Sequence, residues 1–262
     1  MDLPVNQFKR ALRDGRTIFG AWLGSGAPST AEAMASTGFD FVVVDMEHAP
    51  VDAPQLVDLL RAVAGTPTPA VVRLPWNDMV MVKRALDAGA QTVMMPFVQN
   101  AEEARRAVAY TRYPPEGVRG VAGSHRASRY GNVANYLQKA NAEICVIVQI
   151  ETLAALEQLP QIAAVPGVDS IFIGPSDLSA SMGLLGDIGN AAVQDKLKAG
   201  AQLCRQLGKP TGIIGVTPEL VAKFADYGYT WIAVGSDMSF MVGRAQEHLA
   251  KARSLPVAAP KG

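Results

Sequence analysis

Short apolar runs rich in β-branched residues alternate with longer runs of helical spacing from one end of the chain to the other, the pattern of repeated βα units. The runs expected as strands are Ile18 to Gly24, Phe39 to Glu47, Ala70 to Leu74, Thr92 to Phe97, Ile144 to Ile150, Ser170 to Ile173, Thr211 to Gly215 and Trp231 to Gly235. Their middles, such as FVVV, VMM and CVIV, are apolar without alternation, as in strands buried on both faces of a parallel sheet. Eight such units predict an α/β fold, a single (β/α)8 TIM barrel. The first four strand ends, Gly24, His48, Arg73 and Phe97, are spaced 24, 25 and 24 residues apart.

That period lapses between Phe97 and Ile144. A helix expected from Ala101 to Arg112 is followed by YPPEGVRGVAGSHRASRYGN and a second helical stretch, Val133 to Ala140. Long ordered connections in compact domains tend to carry function, so this excursion is expected over the mouth of the barrel. Asn77, Asn100 and Thr217 read as helix caps. Residues 1–254 form one expected domain, and 255–262, with two prolines, an expected disordered tail.

Composition narrows the function. Lys+Arg and Asp+Glu are both 24, and no long run carries one sign, which argues against a nucleic-acid surface. No apolar stretch approaches the roughly 20 residues of a membrane span. The opening MDLPVNQFKR lacks the marks of a signal peptide, so a cytoplasmic protein is expected. Cys145 and Cys204 have no cysteine or histidine partners in sequence and read as reduced core residues.

In strands buried on both faces, polar residues belong where the strand leaves the core. Asp45, Glu47, His48, Arg73, Gln149, Glu151 and Asp177 all fall at expected carboxyl ends, the face that carries active sites in this fold. Glu151 and Asp177 follow consecutive strands, which lie about 5 Å apart, so their carboxylates can converge. Two hard oxygen ligands with open positions suit a divalent cation, although either acid alone would equally serve as a helix-start residue. His48 follows Asp45 by three residues, so the carboxylate is expected to hold one ring nitrogen and leave the other as a base near neutral pH. Arg73 must find an anion, either in a salt bridge or on a substrate. His125, in the excursion, and Asp87 are the residues a lid would add, with a solvent-exposed His125 as the plainer alternative.

The segments FGAWLG, FDFVVVDMEHAP, VVRLPWND, LDAGAQTVMMPFVQNAEEAR, TRYPPEGVRGV, VQIET and FIGPSDLSASMG span most of the chain and resemble the HpcH/HpaI family of class II pyruvate aldolases. The resemblance implies a barrel of the phosphoenolpyruvate/pyruvate-binding type. It implies Glu151 and Asp177 as ligands of Mg2+, Mn2+ or Co2+, Arg73 on the pyruvyl group and His48 with Asp45 as the acid/base pair. It further implies site contacts from Gln149, Trp22, Gly174 and Ser176, and a homohexamer, a trimer of dimers that exchange the last helix. Ser176, Met95-Pro96-Phe97 and AGSHRASRYGN depart from the family pattern and are expected around the aldehyde side. The reaction so implied is reversible cleavage of a 4-hydroxy-2-oxoacid to pyruvate and an aldehyde. Three alternatives stand beside it: a Schiff-base aldolase, a metal-dependent lyase of another carboxylic or CoA-linked acid, and a non-catalytic ligand-binding barrel.

Overall fold

In the computed structural model, which describes residues 1–255, eight parallel strands close into a barrel in the order β1 to β8. They are β1 Ile18–Leu23, β2 Phe41–Asp45, β3 Ala70–Arg73, β4 Thr92–Met95, β5 Cys145–Ile150, β6 Ser170–Ile173, β7 Thr211–Ile214 and β8 Trp231–Ser236. The helices are α1 Gln7–Arg13, α2 Pro28–Ala35, α3 Ala53–Val63, α4 Met79–Asp87, α5 Ala101–Thr111, α6 Tyr136–Glu143, α7 Leu153–Glu157, α8 Leu159–Ala163, α9 Pro175–Ser181, α10 Ala191–Gln206, α11 Pro218–Tyr227 and α12 Asp237–Ser254. Each expected strand is present. The tail expected at 255–262 lies, apart from Leu255, outside the described residues.

The strands are apolar on both faces because each face packs on something different. Outward residues such as Val42, Val72, Val93, Val148 and Ile171 meet the helices in one core. Inward residues such as Phe41, Val71, Met94, Ile147, Phe172 and Trp231 fill the barrel in a second. Trp231 fits there because Gly212 has no Cβ to strike its indole, and its Nε1 donates to Ser170 Oγ at 2.9 Å. α1, a helix the sequence pattern did not single out, closes the amino end by inserting Phe8 and Leu12 into this inner core.

Local signals fix most helix starts. Asn100 and Thr217 accept from Glu103 and Leu220 backbone N–H groups as expected, but α4 is capped by Asp78, and Asn77 instead donates to Glu103 O. Cys145 and Cys204 are free and buried. Among the described residues, no helix is long and apolar enough to cross a membrane.

Candidate active site

Inward positions recur at every second residue of a strand. On β2 they are Phe41, Val43 and Asp45, on β3 Val71 and Arg73, and on β5 Cys145, Ile147 and Gln149. The lower members of each series fill the barrel, and the last of each places a polar group at its carboxyl end.

Asp45 and Arg73 meet there. Arg73 Nε donates to Asp45 Oδ1 at 2.9 Å and Nη2 to Oδ2 at 2.7 Å, while Nη1 lies 3.0 Å from Glu47 Oε2. The guanidinium carbon sits 4.9 Å from the centre of the Trp22 ring, a cation–π contact. Burial opposes charge on Asp45, but the hydrogen bonds and charge of Arg73, with the Glu47 and His48 backbone N–H groups, outweigh it and hold the carboxyl below its ordinary range. Two of the five guanidinium N–H groups are thus spent on Asp45, and Nη1 stands beside Glu47 as an ion pair without a hydrogen bond, so three N–H groups remain for a ligand.

This corrects the expected Asp45–His48 pairing. The Asp45 carboxylate is committed to a two-point ion pair, the stronger kind of hydrogen-bonded contact, and touches His48 only through its backbone N–H at 3.4 Å. The His48 side chain is exposed and faces the cleft.

Glu151 is buried at the end of β5, opposite Gly174 at the end of β6. Its Oε1 accepts the Phe97 backbone N–H at 2.8 Å and its Oε2 accepts from Gln149 Nε2. A Cβ at position 174 would stand 2.8 Å from Oε2, so only glycine leaves the carboxylate its place. Burial pushes Glu151 up to about 7, with repulsion from Glu47 and Asp177 adding to it and the two hydrogen bonds opposing. Burial also raises Glu47, against the pull of Arg73. Gln149 Oε1, Glu47 Oε2 and Trp22 Nε1 are buried without hydrogen-bond partners, and a bound polar ligand would satisfy such groups.

Beside these residues opens a cleft of about 250 Å³ lined by Trp22, His48, Arg73, Gln149, Gly174, Ser176 and Asp177, with Phe172, Pro175, Ile214 and Ser236 completing the wall, while Glu151 lies behind Gln149 and Gly174 and does not itself line it. Among the described residues no three acidic, histidine or cysteine side chains converge as a ligand cluster. A cation here would therefore draw carboxylates from Glu151 and Asp177 and complete its shell with water or substrate oxygen, which hard divalent ions accept. The all-oxygen donor set and the unpartnered Gln149 Oε1 fit such an ion.

His125 and Asp87 are not in this cleft, and neither the lid nor the solvent reading of His125 holds. His125 Nε2 lies 3.6 Å from Asp87 Oδ1, which also takes Arg119 Nη2 at 2.7 Å, and the ring is largely buried. Burial lowers the His125 pKa, with Asp87 opposing and Arg119 reinforcing. The excursion covers the amino end: Arg126 donates to Ala88 O and Leu60 O, at the finishes of α4 and α3. The reason is topological. A segment between a helix end and the next strand start in a parallel barrel must lie at the amino end, so AGSHRASRYGN is also far from the aldehyde side. A second cleft of about 290 Å³ opens there beside Arg126 and Tyr136, lined by none of the residues grouped at the carboxyl end.

Two contributors escaped the sequence reading. Phe97 enters through its backbone N–H, which any residue could supply. It adopts φ 56°, a left-handed conformation rare for a bulky side chain. Asp237 accepts from the Gly24 and Ser25 N–H groups at 2.9 and 3.1 Å and ties the end of β8 to that of β1. In sequence it is a lone acid that opens the helix after the last strand, in Gly235-Ser236-Asp237, which carries no signal of this tie.

Residues 18–243 match the family described as HpcH/HpaI aldolase/citrate lyase. The chain belongs to this family. It is 47% identical over 241 residues to a 2-dehydro-3,6-dideoxy-6-sulfogluconate aldolase of Pseudomonas putida, covering 91% of this chain and 94% of that protein. It is 46% identical over 246 residues to a 4-hydroxy-2-oxo-heptane-1,7-dioate aldolase of Escherichia coli, covering 94% of each. A crystal structure of an HpcH/HpaI aldolase/citrate lyase family protein from Burkholderia cenocepacia superposes with TM-score 0.93 at 40% identity, covering 95% of this chain and all of that one. The cleft of this HpcH/HpaI family member thus lies where the barrel architecture places chemistry, at the carboxyl ends of the strands.

Proposed function

We propose that this HpcH/HpaI family member is a divalent-metal-dependent aldolase that cleaves 4-hydroxy-2-oxoacids reversibly to pyruvate and an aldehyde. The observation that carries the reading is that the Asp177 carboxylate and the Arg73 guanidinium line one cleft, with the buried Glu151 carboxylate held directly behind its wall by Gln149. The aldolase names of relatives above 45% identity support it.

A cation held by Glu151 and Asp177 would supply Lewis-acid polarisation of the substrate's 2-oxo group. Arg73 is fixed by Asp45, so its remaining N–H groups are aimed before substrate arrives and need no reorganisation as negative charge develops on the carbonyl oxygen. Gln149 holds Glu151 and lines the cleft floor. His48, with its ring facing the cleft, takes the C4 hydroxyl proton as the C3–C4 bond breaks and returns a proton in the synthetic direction. The Schiff-base alternative lacks its lysine: among the described residues Lys9 is the buried one, and its Nζ is engaged at the amino end by Ala142 O, Ile144 O and Asp169.

The deciding measurement is pyruvate release from a 4-hydroxy-2-oxoacid by protein stripped of metal and then resupplied with Mg2+, Mn2+ or Co2+. Release that returns with an added ion supports the proposal. Absence of release with every ion, or a full rate after stripping, would overturn it.

We also infer that α12 packs on another subunit, as in the hexamer the family resemblance implies. After Asp237 the whole helix is exposed, including Phe240, Met241, Val242 and Leu249, and so is Phe19 on the outer face of β1. An apolar surface of this kind marks an interaction site.

A further inference from the structure

The segments after the eight strands form the rim past which the far end of a substrate must lie. Among the described residues Arg73 is the one Lys or Arg at these strand ends and in these segments, and Asp45 and Glu47 already engage it. The other cations lie on helices from the second turn onward, at the amino end, or on α12. Acids are plentiful: Glu47, Glu151 and Asp177 in the site, and Asp52, Asp78 and Asp187 around it. With Asp45 and Arg73 included, the site sets four carboxyl groups against one guanidinium, and a divalent cation offsets two charges. The pyruvyl carboxylate then adds one more. A second anionic group at the substrate's far end would meet charge of its own sign and no cation to replace its lost water.

Exposed apolar side chains also stand on the rim. Trp76 and Phe97, 55% and 40% exposed, stack with centroids 5.8 Å apart and planes 26° apart. The Phe97 N–H on Glu151 ties this ring pair to the centre of the site. In the segment after β7, across the ring from β3, Val216 is 64% exposed and follows the cleft-lining Ile214 by two residues.

We propose that the aldehyde partner of this enzyme is uncharged and apolar at its far end, selected by Trp76, Phe97 and Val216, and is not an aldehyde bearing a second carboxylate or a sulfonate. The proposal rests on the pyruvate-aldolase reading above and extends it to the substrate half on which the relatives' names differ.

Three aldehydes test it, each added to pyruvate by the metal-loaded enzyme at low ionic strength: 4-oxobutanoate, its uncharged isostere 4-oxobutanamide, and pentanal. The expected kcat/KM for the amide and for pentanal exceeds that for the anion by roughly tenfold or more, the scale of like-charge repulsion across a partly screened site. Val216→Lys is expected to raise kcat/KM for 4-oxobutanoate relative to its amide, and Phe97→Ala to lower it for pentanal more than for the amide. Wild-type enzyme that uses the anion as well as its amide overturns the proposal. Consumption of pyruvate with none of the three, under any metal, overturns the aldolase reading itself and the proposal with it.

Discussion

Asp45 and Arg73 are register partners at the adjoining ends of β2 and β3, and their side chains close a two-point ion pair of 2.9 and 2.7 Å over the barrel core. The sheet thereby delivers a guanidinium to the site already oriented, with Asp45 as its holder and not as the partner of His48.

Removing either member should therefore have two separable effects. Arg73→Ala should lower turnover by roughly 10², the scale of a lost oxyanion donor. It should also destabilise the fold by about 3–5 kcal/mol, because a buried carboxylate is left unpaired. Adding Asp45→Asn to that variant should restore much of the stability without restoring turnover. Chemical denaturation beside steady-state rates checks this, and a double variant no more stable than the single one would contradict the pairing.

Gly174 should be irreplaceable for metal binding and dispensable for folding. Gly174→Ala puts a Cβ 2.8 Å from Glu151 Oε2 and must turn that carboxylate aside. Affinity for Mn2+, measured by calorimetry, should fall by roughly 10-fold or more, the scale seen when groups that orient a ligand are lost. Circular dichroism should stay native. Unchanged affinity would remove Glu151 from the ligand set.

His48 should matter only where a hydroxyl proton moves. His48→Ala should slow aldol cleavage by roughly 10² to 10⁴, as expected for general acid/base loss. Decarboxylation of oxaloacetate has no such proton and should keep its dependence on metal and Arg73 while changing far less. Equal losses in both reactions, with metal still bound, would assign His48 another task.

Through α12 the protein should associate in solution. Sedimentation at micromolar concentration should show an oligomer, and paired Met241→Glu and Val242→Glu substitutions should dissociate it. A wild-type monomer under those conditions would contradict the inferred contact.

The strands were legible in sequence because burial on both faces leaves uninterrupted apolar runs, and Ser170–Ile173 agrees with its expected bounds. Other ends read too long where polar groups follow directly: Phe39 to Glu47 was expected and Phe41–Asp45 is formed. The site was legible for a related reason, since polar residues such as Asp45, Arg73 and Gln149 stand out at the last inward position of an apolar strand. Asp45's partner was not, because proximity in sequence pointed to His48 while the β2–β3 register supplied Arg73. Phe97's part lies in its backbone, which has no residue signature. The excursion was placed at the wrong end because its length was weighed and its position after a helix was not.

Phe8 stands edge-on to Phe41 and Trp231, at centroid distances of 5.4 and 5.5 Å, and Trp22, Phe172 and Trp231 continue the packing up to the cleft. The barrel is therefore a well with one opening, and traffic through it has a sequence. On the proposed chemistry the three-carbon acid sits lowest, against Arg73 and Gln149, and the aldehyde sits above it near the rim. In synthesis pyruvate must enter before the aldehyde, and in cleavage the aldehyde must depart before pyruvate can follow.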